Sequence, residues 1–148
     1  MTQTSRLYQV NPVEKKSARL LIAGSREASP EMLALAKRKV TQGELIIVGD
    51  NPKGVDAVVI EECDRLGLEV LVFGITLQPR KGSCLSGRYR QVKVPKTISA
   101  AEAYRWRDRK MIEYANHCIF IHNGSSPGTK AGYEYAKSLG KSAEIFVL

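Results

Sequence analysis

Cysteine and histidine are scarce in this chain, which has three cysteines and two histidines among 148 residues. Cys63, Cys84 and Cys118 are far apart, odd in number and form no C-x-x-C pair. This pattern argues against a disulfide framework and against a zinc site. The two histidines, His117 and His122, do not strengthen a metal interpretation. The sequence therefore predicts reduced thiols, a cytoplasmic location and no metal site.

Long apolar runs are also absent. No stretch is long enough to span a bilayer, and the polar start of the chain lacks the apolar segment of a signal peptide. Apolar residues make up 43% of the 148 residues, which suits one domain with one core. We predict a single domain over residues 18–148, an N-terminal extension over residues 1–17, and no membrane partner.

Acidic residues are missing from one long stretch of the chain. Between Val70 and Ala101 there is no Asp or Glu. The formal net charge of +8 favours anionic partners, namely phosphates, nucleotides or nucleic acid, or serves solubility alone. The basic residues of the stretch are Arg80, Lys81, Arg88, Arg90, Lys93 and Lys96.

Short apolar runs alternate with helix-like stretches along the rest of the chain. Three of these stretches begin with a capping residue followed by proline, at Ser29, Asn51 and Ser126. This alternation predicts a parallel sheet with helices on both faces. We expect an α/β Rossmann-like three-layer sandwich whose five-stranded parallel sheet has the order 3-2-1-4-5. The predicted strands cover residues 18–23, 45–48, 69–73, 117–121 and 143–148.

The segment 74–98 shows no helical pattern, although residues 88–94 alternate enough to form one arm of a short hairpin. Long connections in compact domains often serve as lids or binding loops. Its basic character suggests a flap over a phosphate ligand. The alternative is a sequence-independent nucleic-acid patch over residues 80–96. Tyr89 is the one aromatic residue there, so a stacking platform for single strands is poorly supported.

The predicted strand order also locates a binding site. Ligands of open parallel sheets lie beyond the carboxyl ends of the strands, at the point where the strand order reverses. Here that point falls between the first and fourth predicted strands, whose loops are residues 24–28 and 122–127. Both loops lead into helix N-termini, whose free N–H groups and dipole attract anions.

The loop after the fourth predicted strand carries the stronger signal. Glycine lets a ligand approach the backbone, and hydroxyl groups can donate to phosphate or ribose oxygens. The same small residues would also allow a capped helix to pack tightly on its sheet, and both interpretations stay open. The candidate ligand-binding residues of this loop are Gly124, Ser125, Ser126, Gly128 and Thr129.

Further candidates follow the first and second predicted strands. Arg26 could bind phosphate with its guanidinium fork, or it could lie at the surface. The second loop matches neither the Walker A motif nor G-x-G-x-x-G. Asp56 lies where it could simply complement a helix dipole. The candidates of these two loops are Gly24, Ser25, Arg26, Gly49, Asp50, Gly54 and Asp56.

The helix predicted over residues 99–116 contributes two more candidates. At helical spacing, Tyr104 and Met111 share an apolar face, with Asp108 inside that face and Arg107 on its border. A charged pair beside an apolar stripe is costly unless it has a partner, which favours a role in binding. The alternative is a snorkelling arginine with a helix-to-loop salt bridge.

Taken together, these motifs resemble the SLOG superfamily of Rossmann-like domains, with the greatest similarity to its small stand-alone bacterial members of the YAcAr and YpsA types. The resemblance covers residues 18–148. It depends on four motifs in order, which are residues 24–26, 53–56, 107–111 and 125–129.

The resemblance implies a nucleotide-type ligand held by these loops. Members of the superfamily include sensors, phosphoribohydrolases of the Lonely Guy type, molybdenum-cofactor carrier-like proteins and a branch that processes single-stranded DNA. The phosphoribohydrolases carry Pro-Gly-Gly-x-Gly-Thr-x-x-Glu, whereas here Gly132 stands at the position of the glutamate. Glu134 comes two residues later, about 200° further round an ideal helix. This difference argues against the hydrolase activity.

Our leading hypothesis is a domain that binds a nucleotide or a nucleotide-derived metabolite as its ligand. Arg26 and Arg107 would neutralise phosphate, and backbone N–H groups of residues 24–26 and 126–129 would surround it. Asp56 or Asp108 would orient an arginine or hold a ribose hydroxyl.

Two rival functions are an enzyme that cleaves the N-glycosidic bond of nucleoside monophosphates and a nucleic-acid-binding module that uses residues 80–96. For the enzyme, Asp56, Asp108 or Glu134 would have to supply the carboxylate. Members of the superfamily often self-associate, so a homo-oligomer is expected.

Overall fold

The computed structural model describes residues 16–81 and 87–148. Residues 1–15 of the predicted N-terminal extension lie outside the described residues, as does Cys84. No helix within the described ranges is both long enough and apolar enough to cross a membrane.

The described residues form six strands and four α-helices. The six strands pair in parallel in one sheet of order β4-β3-β2-β1-β5-β6. In chain order they are β1 (Ser17–Gly24), α1 (Pro30–Lys39), β2 (Gly43–Gly49), α2 (Gly54–Leu66), β3 (Glu69–Gly74), β4 (Gly87–Gln91), α3 (Ala100–Tyr114), β5 (His117–His122), α4 (Pro127–Ser138) and β6 (Ser142–Val147).

The sheet confirms the α/β prediction and corrects the predicted number of strands. The five predicted strands have the expected mutual order, but β4 is a sixth strand beside β3. It is not the arm of a hairpin, because it pairs in parallel, with Val70 opposite Gly87. The connection between β3 and β4 is about a dozen residues long, which is enough for the return that parallel pairing requires.

Two apolar layers cover the two faces of the sheet. Met32 of α1 and Val59 of α2 belong to one buried cluster. Met111 of α3, Ala136 of α4 and Phe120 of β5 belong to the other. The protein is therefore a three-layer sandwich with α1 and α2 on one face and α3 and α4 on the other.

Local capping explains where the helices begin. Ser29 accepts a hydrogen bond from the backbone N–H of Met32, as the Ser-Pro signal predicts. The prediction of a helix starting at Asn51-Pro52 is wrong, because α2 begins at Gly54. The Asn51 side chain instead accepts from the N–H of Lys53, which forms a turn, and Gly54 continues that turn with φ +73°.

The loops after β1 and β5 leave the sheet side by side. Gly24 pairs with Ile121, and the next N–H, that of Ser25, donates to the Ile121 carbonyl at 3.1 Å. The N–H of Asn123 in turn donates to Ser25 Oγ at 3.2 Å. The reversal of strand order therefore lies between β1 and β5, at the edge where the sequence predicts the site.

Candidate functional site

A cavity of about 480 Å³ opens at the carboxyl edge of the sheet. Its lining comes from the loops after β1 and β2, from α3 and from the start of α4. Apolar side chains from the sheet and from α3 contribute to it, among them Leu21, Met111, Ile112 and Phe120. A lining that combines apolar side chains with a few polar groups is typical of a small-molecule site.

The cavity brings together residues from all four sequence motifs. Eight of the predicted site residues line it, namely Gly24, Arg26, Asp56, Arg107, Asp108, Ser126, Gly128 and Thr129. The other six lie outside its lining, namely Ser25, Gly49, Asp50, Gly54, Gly124 and Ser125. Glu134, proposed as an alternative carboxylate, is exposed on α4 and does not line the cavity.

Asp50, directly after β2, connects two arginines that line the cavity. Its carboxylate is fully buried and accepts from Arg107 Nη1 at 3.0 Å. It also accepts from the backbone N–H of Arg80 at 2.9 Å and from the Nε and Nη2 groups of that residue at 3.1 and 3.0 Å. Such a charge is stable inside a protein only when it has this many partners. Asp50 therefore holds the cationic side of the cavity in position without lining it.

Gly49 and Gly74 make room for this network. A Cβ on Gly49 would lie 2.6 Å from Asp56 Oδ2 and 2.8 Å from the guanidinium of Arg107. A Cβ on Gly74 would lie 2.6 Å from Asp50 Oδ2. The two glycines end β2 and β3 so that charged side chains can cross directly over the strand ends.

Arg107 is the centre of the buried charges. Its Nε and Nη2 donate to Asp108 Oδ1 at 3.2 and 2.9 Å, in addition to the bond to Asp50. Burial by itself lowers the pKa of the Arg107 guanidinium, but the neighbouring carboxylates of Asp108, Asp56 and Asp50 outweigh burial and raise it. Arg107 therefore stays charged inside the domain. The bond from Arg107 to Asp50 is a helix-to-loop salt bridge, which the sequence left open as the alternative to a role in binding.

Asp56, in the first turn of α2, is a buried carboxylate that lines the cavity. Its Oδ2 accepts from the backbone N–H of Asn51 at 3.2 Å. Burial raises the pKa of Asp56 from 3.8 to about 6, against the lowering effects of Arg107 and of the Asn51 hydrogen bond. Two further carboxylates, Asp108 and Asp50, add to the rise.

Three of the lining residues, Arg26, Ser126 and Thr129, suit an anion. Ser126 precedes α4 and its Oγ lies 3.1 Å from Thr129 Oγ1, so two hydroxyl groups stand at the start of the helix. The first N–H groups of a helix have no partner within the helix. Arg26 is exposed and forms no ion pair within the described part of the chain. The positively charged Arg26 and the N-terminus of α4 therefore line the same cavity.

Three predicted site residues that do not line the cavity, Ser25, Gly124 and Ser125, form hydrogen bonds within the loops after β1 and β5. Ser25 is buried and connects the β1 and β5 loops through the bonds given above, so its N–H is already occupied. Gly124 has φ +93° and donates its N–H to Nδ1 of His122 at 2.6 Å. The N–H of Ser125 donates to Asn123 Oδ1 at 2.9 Å. These contacts stabilise the loop that leads into α4.

Sequence reasoning left three polar lining residues of the cavity out of the predicted site, namely Asn51, Arg80 and Tyr104. The Tyr104 ring centroid lies 4.1 Å from Cζ of Arg80 and 5.0 Å from Cζ of Arg107, so the aromatic ring contacts both cations. The sequence indicated Arg80 as part of the basic segment after β3, but it did not predict the contact of Arg80 with Asp50.

Apart from Arg80, the described basic residues of the segment 80–96 do not line the cavity. Arg88 lies 3.9 Å from Glu69 at the exposed edge of the sheet, and Arg90 lies over the rings of Phe73 and Tyr114. Residues 82–86 are outside the described ranges. Within residues 16–81 and 87–148, no cluster of three or more His, Cys, Asp or Glu side chains could hold a metal ion.

Comparison with known proteins supports the fold. No protein-family model matches the chain, and no curated protein matches it. Among solved structures, the Moco carrier protein from Chlamydomonas reinhardtii is similar, with a TM-score of 0.64, 13% identity, and coverage of 88% of this chain and 76% of that chain. DNA processing protein A from Helicobacter pylori has a TM-score of 0.61 and 15% identity over 88% of this chain and 65% of that chain. A Northeast Structural Genomics Consortium target has a TM-score of 0.61 and 21% identity over 85% of this chain and 72% of that chain.

These neighbours share one architecture. The chain has an α/β Rossmann-like fold with a parallel sheet, as these solved structures do. The fold resemblance that the sequence motifs suggested is confirmed. This fold places the reversal of strand order, and hence the cavity, where ligands of open parallel sheets bind.

Proposed function

We propose that this protein binds a nucleotide, or another phosphate-bearing small molecule, in the cavity at the carboxyl ends of its strands. The observation that carries the proposal is the rim formed by Arg26 and the N-terminus of α4 with Ser126 and Thr129. A guanidinium, two hydroxyls and free helical N–H groups are the donors that phosphate oxygens prefer. Arg107 lines the same cavity, and its bond to Asp50 at 3.0 Å fixes the position of its guanidinium.

The size of the cavity and the neighbours agree with this proposal. A volume of about 480 Å³ lies within the range of roughly 300–1,000 Å³ that is usual for small-molecule pockets. One structural neighbour is named as a carrier of Moco and another is described as binding single-stranded DNA. The first description concerns a small molecule and the second single-stranded DNA, so each names a ligand that a protein of this fold binds.

The proposal is tested by thermal shift and calorimetry with nucleoside monophosphates, nucleotides and short oligonucleotides, because a ligand specific for the folded state raises the melting temperature. We expect at least one monophosphate to bind, and Arg26→Gln to weaken it roughly tenfold through loss of a charge-assisted hydrogen bond. Arg38→Gln is the matched control, since Arg38 is exposed on α1 and does not line the cavity.

Two results would contradict the proposal. The first is a monophosphate affinity that is the same in Arg26→Gln as in the unaltered protein. The second is no response to any small molecule together with a salt-sensitive response to oligonucleotides, which would transfer the function to nucleic-acid binding by residues 80–96.

A further inference from the structure

The outer face of α3 carries an exposed tryptophan among basic side chains. Trp106 is 39% exposed, and no other large apolar side chain of α3, which is described over its whole length, is exposed. Arg109 and Lys110 are exposed three and four positions after Trp106, so they are its neighbours on the helix surface. Arg105 is exposed directly before it. This face, formed by Arg105, Trp106, Arg109 and Lys110, thus combines an aromatic ring with three cations.

A hollow of about 180 Å³ lies beside the tryptophan ring. Its lining consists of Trp106, Arg109, Lys110 and Glu113 of α3 and Tyr135 of α4. None of these residues lines the cavity at the carboxyl edge of the sheet. The hollow on the outer face of α3 is therefore separate from the site of the proposed function.

Two of the cations on this face are free to bind an anion. Arg105 and Arg109 form no ion pair within residues 16–81 and 87–148. Arg109 instead lies over the ring of Tyr135, with its Cζ 5.3 Å from the ring centroid. A cation on an aromatic ring keeps its charge and its N–H donors, so both guanidinium groups stay available.

The two acidic residues on the same face have partners already. Glu102 caps its own helix, because its Oε1 accepts from the backbone N–H of Ser99 at 3.3 Å. Glu113 accepts from the hydroxyl of Tyr135 at 2.6 Å and lies 3.7 Å from Nζ of Lys110. The acids therefore leave the arginines unneutralised, and the face attracts a polyanion.

The composition of the face favours nucleic acid over an acidic protein segment. The cores of protein interfaces are depleted of lysine and glutamate, whereas Lys110 and Glu113 both line the hollow. No aliphatic side chain is exposed on α3, which is described in full, so the apolar contact that the face offers is the ring of Trp106. Proteins that bind single strands use aromatic rings on which bases stack and cations that contact the backbone.

We propose that the outer face of α3 binds single-stranded nucleic acid, with a base stacked on Trp106 and phosphates bound by Arg105, Arg109 and Lys110. The surface is distinct from the basic segment 80–96, in which Tyr89 is the one aromatic residue. The inference does not depend on the proposed function, because the hollow and the cavity share no lining residue.

The fluorescence of Trp106 tests the proposal directly, because the chain contains one tryptophan. The probe is an oligothymidylate of twelve nucleotides, compared with a duplex of twelve base pairs and with a peptide of twelve glutamates. The single strand should quench the fluorescence and bind more tightly than either comparison ligand. The reason is that the bases of a duplex are stacked on each other and the peptide has none.

Variants are compared by the fluorescence anisotropy of a labelled oligothymidylate. Trp106→Ala should weaken binding about tenfold through loss of stacking, and Trp106→Phe should keep part of the affinity. Arg109→Gln should weaken binding and reduce the slope of log affinity against log salt concentration by about 0.7, as expected for one lost phosphate contact. Arg38→Gln is the matched control, since Arg38 is exposed on α1, and it should change neither quantity.

Four results would overturn the proposal. The first is fluorescence that the single strand leaves unchanged at low salt. The second is binding that Arg88→Gln abolishes and Trp106→Ala does not affect, which would assign nucleic acid to the segment 80–96. The third is equal or tighter binding of the glutamate peptide, which would indicate an acidic protein partner. The fourth is Trp106 fluorescence that changes with protein concentration alone, which would indicate that a second copy of the chain covers this face.

Discussion

Replacing Asp56 by asparagine should stabilise this protein at neutral pH. The carboxylate is buried and its pKa is about 6 in the folded state, compared with 3.8 as the ordinary value. The folded state therefore holds the proton of Asp56 more tightly than the unfolded chain does. Neutral Asp56 contributes stability that is fully present below pH 4 and is lost as the pH rises through 6. Asparagine is neutral at every pH, so it avoids that loss.

The size of the effect follows from the two pKa values. The difference between 3.8 and about 6 corresponds to roughly 3 kcal/mol, since a tenfold change in proton affinity is about 1.4 kcal/mol. The groups that set it are the buried surroundings, Arg107 and Asp108 on α3, and Asp50 after β2. For a domain of this size, about 3 kcal/mol raises Tm by roughly 6–12 °C. At pH 7.5 the variant should show most of this gain, and near pH 4 the two proteins should converge.

Urea denaturation followed by circular dichroism, at pH 7.5 and at pH 4, measures this difference in the free energy of unfolding. Glu134→Gln serves as the control for replacing a carboxylate by an amide, since Glu134 is exposed on α4 and does not line the cavity. A variant less stable than the unaltered protein at pH 7.5 would refute the reasoning. An equal gain at both pH values would refute it as well, because the stabilisation would then not come from ionisation of Asp56.

Two further predictions concern the network beneath the cavity. Asp50→Ala should lower the free energy of unfolding by about 3–5 kcal/mol, because it leaves Arg107 buried with one partner fewer. Asp50→Ala combined with Arg107→Ala should cost less than the sum of the single changes, and simple additivity in urea denaturation would contradict the pairing. Gly49→Ala should destabilise by about 1–3 kcal/mol, because its Cβ would lie 2.6 Å from Asp56 Oδ2. Gly128→Ala is its control, since a Cβ there meets no atom within 4 Å, and equal melting temperatures of the two glycine variants would contradict the argument.

The sequence alone determined much of the fold because its signals are local. Apolar runs of strand length marked five of the six strands, and Ser29 marked a helix start through its own hydrogen bond. The alternation of strands and helices then implied the mutual order of those strands, and the order implied the place of the cavity. Helical spacing was enough to single out Arg107 and Asp108, because both lie on one helix.

β4 escaped prediction because its five residues alternate as a hairpin arm would, and only the long return connection makes the pairing parallel. Residue spacing likewise did not show that Asp50 binds Arg80, 30 positions away, and Arg107, 57 positions away. Tertiary structure decided both contacts, since it brings the ends of β2 and β3 and the middle of α3 to one edge of the sheet. It also decided that Asp56 is buried and lines the cavity, because burial depends on what packs around a residue and not on its neighbours in the chain.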